Sequence, residues 1–235
     1  MTPEFNLLSF NDILVGLAVN ILAWTTLYIS YKLRGNGSPV WIPRKLTHTV
    51  LGTTIAFSLP IFSSVFGALF ALSLFLTILA VGMIIDEDFA RKLLKIGTRE
   101  GEHLIDTLFA SITALLVAGI IYFLFYNKPQ IYIASVLSLA WGDGSGELIG
   151  RAFGKHKIKF LWVSKSLEGS LSILIMSVIG MIVAYLVNGY EISIYMLSKF
   201  FLIGFFVSIV ELLSYKWIDN LIIPAITATT LFILI

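Results

Sequence analysis

Cysteine is absent from the 235 residues, so neither a disulfide nor a thiolate metal site is open to this chain. Charge is scarce: Asp, Glu, Lys and Arg make up 13% of the residues against 58% hydrophobic ones, and the mean hydropathy is +0.94. That balance excludes an ordinary soluble domain, in which about a quarter of the residues are charged, and points to an integral membrane protein. Long polar stretches are missing too. The two largest, Asp86–His103 and Gly142–Ser166, are shorter than the ~40 residues below which a core seldom sustains itself. Chemistry therefore has to be carried by helix ends and connecting loops. With no internal repeat, low-complexity tract or linker, the expectation is one polytopic transmembrane domain over residues 1–235, an all-α bundle.

What the chain has in quantity is apolar sequence in runs. A spanning helix needs ~20 mainly apolar residues, and eight runs are candidates: Leu8–Tyr31, Lys45–Leu59, Ile61–Ile85, Leu104–Tyr126, Pro129–Trp141, Leu167–Val187, Ile192–Ser214 and Ile218–Ile235. The second and fifth are short. The first lacks a basic leader and a small-residue cleavage site, so it is expected to be retained as a helix. Cations follow alternate runs: Lys32, Arg34, Arg44 and Lys45; then Arg91, Lys92, Lys95 and Arg99; then Arg151, Lys155, Lys157, Lys159 and Lys165; then Lys216. The opposite connections, at Pro60, Tyr126–Pro129 and Asn188–Glu191, are short and nearly uncharged. The positive-inside rule then places the basic loops in the cytoplasm and both termini outside. Lys216 and Trp217 suit interface anchors.

The polar residues gather into clusters on the basic side. In "WGDGSGELIGRAFGKHK", Gly142, Gly146, Gly150 and Gly154 recur every four residues, with Asp143, Glu147, Arg151 and Lys155 as a second stripe beside them. Small residues at that spacing suit helix packing in membranes. Glycines cost about 1 kcal/mol each in a helix interior, and Gly144 adds another, so an anion-cradling loop is the alternative. Carboxylates for a divalent cation and Arg or Lys for phosphate oxygens make a metal-bound nucleotide or phosphate the natural guest. The stretch is not a P-loop: its glycine spacing is one short, and His156 stands where a Ser or Thr would bind magnesium. Nor does Asp143-Gly144 continue as the DGxxAR signature of CDP-alcohol phosphotransferases, since Gly146 and Glu147 replace its Ala-Arg.

Three further clusters accompany it. In "VSKSLEGSL", Ser164 suits a helix N-cap with Glu168 in the first turn, while on a helix Lys165, Glu168, Gly169 and Ser172 share one face. In "PRKLTHTVLG", Pro43 suits a first helical turn and brings Arg44, Lys45 and His48 onto neighbouring ridges. Anchoring explains the first two but not His48, an ionisable side chain about one turn into the bilayer. In "ELLSYKWIDNLIIP", Glu211 lies inside an apolar helix and needs a partner, Asp219-Asn220 opens the next helix, and Pro224 bends or breaks it. The segment Asp86–His103 reads as an amphipathic stretch on the membrane surface, with Arg99, Glu102, His103 and Asp106 close enough to the fourth run to join a site.

Taken in order, Arg44-Lys45-x-x-His48, Gly142-Asp143 with Gly150-Arg151-x-x-Gly154, Lys165-Ser166-x-Glu168-Gly169-Ser170, and Glu211 followed by Asp219-Asn220 and Pro224 resemble the polyprenol kinase family, which includes dolichol kinases, phytol kinases and CTP-dependent diacylglycerol kinases. The resemblance runs from Arg44 to Pro224. One departure is Gly146, where many members carry alanine. The resemblance implies a membrane kinase that moves the γ-phosphoryl group of CTP or another nucleoside triphosphate to the hydroxyl of a polyprenol, another isoprenoid alcohol or a diacylglycerol-like lipid. It implies Mg2+ on Asp143 and Glu168, with Asp219 next. Lys165, Arg151, Arg44, Lys45, Ser166 and Ser170 would lie near phosphate, and Gly142, Gly144, Gly146, Gly150, Gly154 and Gly169 would allow close backbone approach. Glu211, Asn220 and Pro224 would support the lipid side. His48 or Asp219 would take the hydroxyl proton; the residues leave that choice, the alcohol, CTP against ATP and the oligomeric state open. No nucleic-acid partner is expected. A CDP-lipid-forming cytidylyltransferase is the rival enzyme, and an ion-coupled transporter using intramembrane acids such as Glu211 the third reading.

Overall fold

A computed structural model describes residues 8–99, 101–160, 163–214 and 218–235. The expected anchors Lys216 and Trp217 lie outside the described residues. Helices dominate: α1 (Phe10–Gly35), α2 (Trp41–Ser58), α3 (Val65–Ile85), α4 (Glu87–Leu94), α5 (Leu104–Leu124), α6 (Pro129–Leu137), α7 (Gly144–Ala152), α8 (Leu167–Val187), α9 (Ile194–Leu213) and α10 (Asp219–Leu234). A two-stranded hairpin, β1 (Lys157–Phe160) with β2 (Val163–Ser166), interrupts them. Among the described residues, α1, α3, α5, α8 and α9 are long and apolar enough to cross a membrane, and α10 is a shorter apolar helix. This is the composition of a helical membrane protein.

The chain forms two compact units, Met1–Leu104 and Ile105–Ile235. In the first, polar ties hold apolar helices together. Ser9 and Asp12 make a capping box at the start of α1. The fully buried Asp12 carboxylate also accepts from the Ser63 amide at 2.7 Å, the Ser63 hydroxyl at 2.8 Å and the Ser64 hydroxyl at 3.1 Å. Burying a carboxylate is tolerable only when its lone pairs are filled in this way, and the result pins α1 to the turn before α3. Lower on the same helices, the Asn20 amide donates to the Gly16 and Ala71 carbonyls at 2.9 Å each. The amphipathic expectation for Asp86–His103 is met in α4: Asp86 caps the Phe89 amide, Glu87 and Arg91 pair on the exposed side, and Ala90, Leu93 and Ile96 are buried.

The second unit is built around α6, of which every residue from Gln130 to Leu137 is buried. A helix apolar on all sides belongs at the centre of a bundle, which is why its run is too short to read as an independent span. It does not stop at Trp141. A π-turn, Ser138–Asp143, carries the helical path directly into α7. The second expected span, Lys45–Leu59, corresponds to α2, which starts four residues earlier.

Directions within this unit follow from side-chain contacts. Helices α8 and α9 are antiparallel, with Ser208 donating to the Ser170 carbonyl near one end and Phe200 against Tyr185 near the other. At its C-terminal end α10 sets Phe232 beside Phe125 and Lys128, just before α6 begins. At its N-terminal end Asn220 donates to the Ala110 carbonyl of α5. So α10 runs antiparallel to α6, and its N-terminal end lies toward the π-turn, against which α10 packs.

Candidate functional site

The glycine-rich segment is helical, and the loop alternative is not realised. Its glycine ridge lies against α8. A Cβ on Gly142 would stand 2.5 Å from the Ser177 hydroxyl, one on Gly146 2.4 Å from Ile173 Cγ1, and one on Gly150 3.5 Å from the Gly169 Cα. Gly154 closes the ridge beside Ser166. The seam lets two helices touch backbone to backbone, the small-residue packing common in membranes. Gly144 and Gly146 are buried. On the second stripe Arg151 pairs with Glu147 at 3.0 Å. Asp143 ends the π-turn and is buried, as is Asp219 at the first position of α10. Of the buried hydroxyls in this region, those of Ser138, Ser170 and Ser177 have no hydrogen-bond partner among the described residues.

Two expectations for the next cluster change. Lys165 is not helical; it stands on β2, opposite Ile158 of β1. The cap of α8 is Ser166 rather than Ser164: the Ser166 hydroxyl accepts from the Gly169 amide at 3.1 Å, and the helix starts at Leu167. The physical reason is the pairing of β1 with β2, which keeps residues 163–166 extended, so that Ser164 lies inside the strand and Ser166 at its end caps the helix. From the strand Lys165 reaches α9, where its ammonium donates to the Glu211 carbonyl and to Glu211 Oε1, the latter at 2.6 Å. Glu211 therefore has the partner its burial demands, and it lies in the last turn of α9 rather than deep within it.

Glu168 is turned towards His156. The imidazole Nδ1 lies 2.7 Å from Glu168 Oε1, and the His156 amide donates to both carboxylate oxygens at 3.2 and 3.4 Å. The Leu167 amide donates to the His156 carbonyl at 2.9 Å, closing the base of the hairpin. Neither the hairpin nor this His156–Glu168 pair was expected from the motifs. The alternation Lys157-Ile158-Lys159 is the period-2 signal that marks the first strand.

One end of the second unit thus carries Arg151, His156, Lys165, Glu168, Glu211, Asp219 and Asn220, because α7 and α9 end there while α8 and α10 begin there. Pro224 sits inside α10, which continues through it. Lacking an amide hydrogen, Pro224 leaves the Asn220 carbonyl without its helical donor. Arg44, Lys45 and His48 belong to the first unit, on α2, with Lys45 buried and the other two half-buried. Among the described residues no three of His, Asp and Glu converge as a metal cage.

No family model and no solved structure matches the chain. Curated proteins do. It is 30% identical over 203 residues to probable phytol kinase 1, chloroplastic, of Glycine max, an alignment covering 81% of this chain and 66% of that protein. It is 27% identical over 170 residues to the phytol kinase of Synechocystis sp., covering 70% of this chain and 67% of the relative. A probable phytol kinase 1 of Oryza sativa subsp. japonica is 31% identical over 141 residues, covering 57% of this chain and 43% of its own length. The chain thus spans about two thirds of the length of the first two of these relatives. With the Lys-Ser-x-Glu-Gly-Ser element seated at the entry to α8 and similarity to phytol kinases over most of its length, the chain belongs to the polyprenol kinase family.

Proposed function

We propose that this chain is a lipid-alcohol kinase that transfers the terminal phosphoryl group of a nucleoside triphosphate, CTP by resemblance, to the hydroxyl of an isoprenoid alcohol of the phytol kind. The similarity to phytol kinases carries this reading, and the charged end of the second unit supplies chemistry that suits it. In phosphoryl transfer the protein mainly positions reactants and neutralises charge. The alcohol oxygen attacks the γ-phosphorus, the bond to the bridging β–γ oxygen breaks, and the nucleoside diphosphate leaves. The hydroxyl proton passes to Asp219, the candidate acceptor within the second unit.

An ammonium has three N–H donors. Glu211 takes two of those on Lys165, so a third is directed to a phosphate oxygen, and Arg151 adds a second cation at the same end. Mg2+ bound with nucleotide needs only one or two carboxylates, because phosphates and water complete its octahedron. The donor set suits an ion of that kind rather than a protein cage: Asp143 and Asp219 would hold it, with Glu168 able to join by leaving His156. When bound, the ion would neutralise charge developing on the β- and γ-oxygens. The eight-span arrangement, with the motif end of the second unit cytoplasmic, belongs to the same proposal: nucleotide would arrive from the cytoplasm and the alcohol laterally from the bilayer.

The experiment is a transfer assay with purified protein, Mg2+, γ-labelled CTP or ATP, and a panel of lipid alcohols. Label in a lipid monophosphate is expected, while α-labelled nucleotide leaves the lipid unlabelled. With a lipid monophosphate offered as acceptor, transfer of the α-label with release of pyrophosphate would instead indicate a cytidylyltransferase, and no lipid product from any nucleotide with folded protein overturns the reading. Asp143→Asn is expected to lower the rate ~100-fold or more, the scale of losing one electrostatic stabiliser of the transition state, at unchanged expression.

A further inference from the structure

The hairpin between α7 and α8 separates its cations by face. Side chains alternate across a strand, and residues paired directly opposite project to the same side. Ile158 is paired with Lys165, whose ammonium is on Glu211, so Lys157 and Lys159 project to the face of the hairpin opposite the Lys165–Glu211 pair. Both are exposed, as are Lys155 and the large ring of Phe153 at 65%. The strand residues Lys157–Phe160 include no acid. Glu168, the nearest acid of the following turn, is engaged by His156.

The location of this basic face defines its partner. Strand β2 ends at Ser166 and the membrane-crossing helix α8 begins at Leu167, so the hairpin stands at the membrane–water boundary. The anion present there at high density is the phosphate of lipid headgroups, and Lys or Arg near an anionic leaflet is attracted within about a Debye length of the surface. An exposed Phe near lysines suits a segment lying at the interface, where Trp, Phe or Leu faces the acyl boundary and Lys or Arg the headgroups.

We propose that Lys157 and Lys159 form a docking face for anionic phospholipid headgroups, which holds the hairpin down on the bilayer surface beside the entry to α8. The inference requires no nucleotide and no alcohol, so it stands or falls separately from the kinase reading.

The chain contains no cysteine, which allows a single reporter. Ala152→Cys, at the exposed last residue of α7, carries an environment-sensitive fluorophore in the full chain. The labelled protein is reconstituted into nanodiscs of phosphatidylcholine alone or phosphatidylcholine mixed with phosphatidylglycerol. A blue shift of emission in the anionic discs is expected, lost in Lys157→Gln with Lys159→Gln and reversed by raised salt, which screens exposed charges. Lys128→Gln, a cation stacked over Phe232 near the opposite end of α10, keeps the shift. Identical emission in the two discs, or a shift that survives the double substitution, overturns the proposal. Because the altered lysines are exposed, a folded double variant is expected.

Discussion

A lysine facing a buried glutamate has two explanations, and the pair Lys165–Glu211 separates them. Removing one partner of an ion pair leaves the other charge desolvated, whereas replacing both by apolar groups of similar size is close to neutral. Glu211 is buried and Lys165 only a quarter exposed, so Lys165→Met is expected to destabilise by about 3 kcal/mol, the low end for a buried pair. The double variant Lys165→Met with Glu211→Leu is expected to recover most of that loss, read as the thermal midpoint in detergent. Transfer activity behaves differently: it is expected to be lost in the single variant and to stay lost in the double variant, since restored packing brings no cation to the phosphate. Full activity in the stable double variant would leave Lys165 a purely structural role.

The helix pair α7–α8 depends on how closely two backbones approach, and its glycines are not equivalent. A Cβ on Gly154 would lie against the Gly150 carbonyl and 2.7 Å from Ser166 Cβ, where backbone and a capping residue cannot yield. Gly154→Ala is therefore expected to cost about 1–3 kcal/mol, the range for overpacking. A Cβ on Gly146 meets only Ile173 side-chain carbons within 3 Å. Gly146→Ala is expected to cost less, with Ile173→Val returning part of the loss, and chemical denaturation of purified variants checks the order. The four-residue glycine spacing was legible in the sequence because it is the helix period; its facing partner was not, since nothing local names α8. The long apolar helices were legible by length and composition, and Asp219 at the start of α10 by its position before an apolar run. Lys165 leaves the helical face that its spacing suggests because the Ile158–Lys165 strand pairing, with a partner seven residues away, prevails. The tie of Glu168 to His156 depends on a hairpin whose geometry brings residues twelve apart together.

Across the second unit, polarity is arranged along one direction, and that arrangement supports an orientation in the membrane. One end carries Arg151, Lys155, Lys157, Lys159 and Lys165 with Glu168, Glu211 and Asp219. At the other, the turns after α5 and α8 come together, with Gln130 donating to the Tyr190 hydroxyl at 3.0 Å and Lys128 lying over Phe232. Five cations against Lys128 and Lys199 is the asymmetry the positive-inside rule reads, and it is the basis for the proposal that the charged end faces the cytoplasm. Single cysteines in this cysteine-free chain test the assignment. Ser38→Cys and Lys157→Cys are expected to react with a membrane-impermeant thiol reagent only in inside-out vesicles, and Asn127→Cys and Gly189→Cys only in intact cells stripped of any outer barrier. Positions 127 and 157 flank the continuous helical path of α6, the π-turn and α7. Labelling of both from one side would mean that this path does not cross the bilayer and would overturn the eight-span proposal. Labelling from opposite sides but with the sense reversed would keep the spans and move the charged end outside, away from cytoplasmic nucleotide.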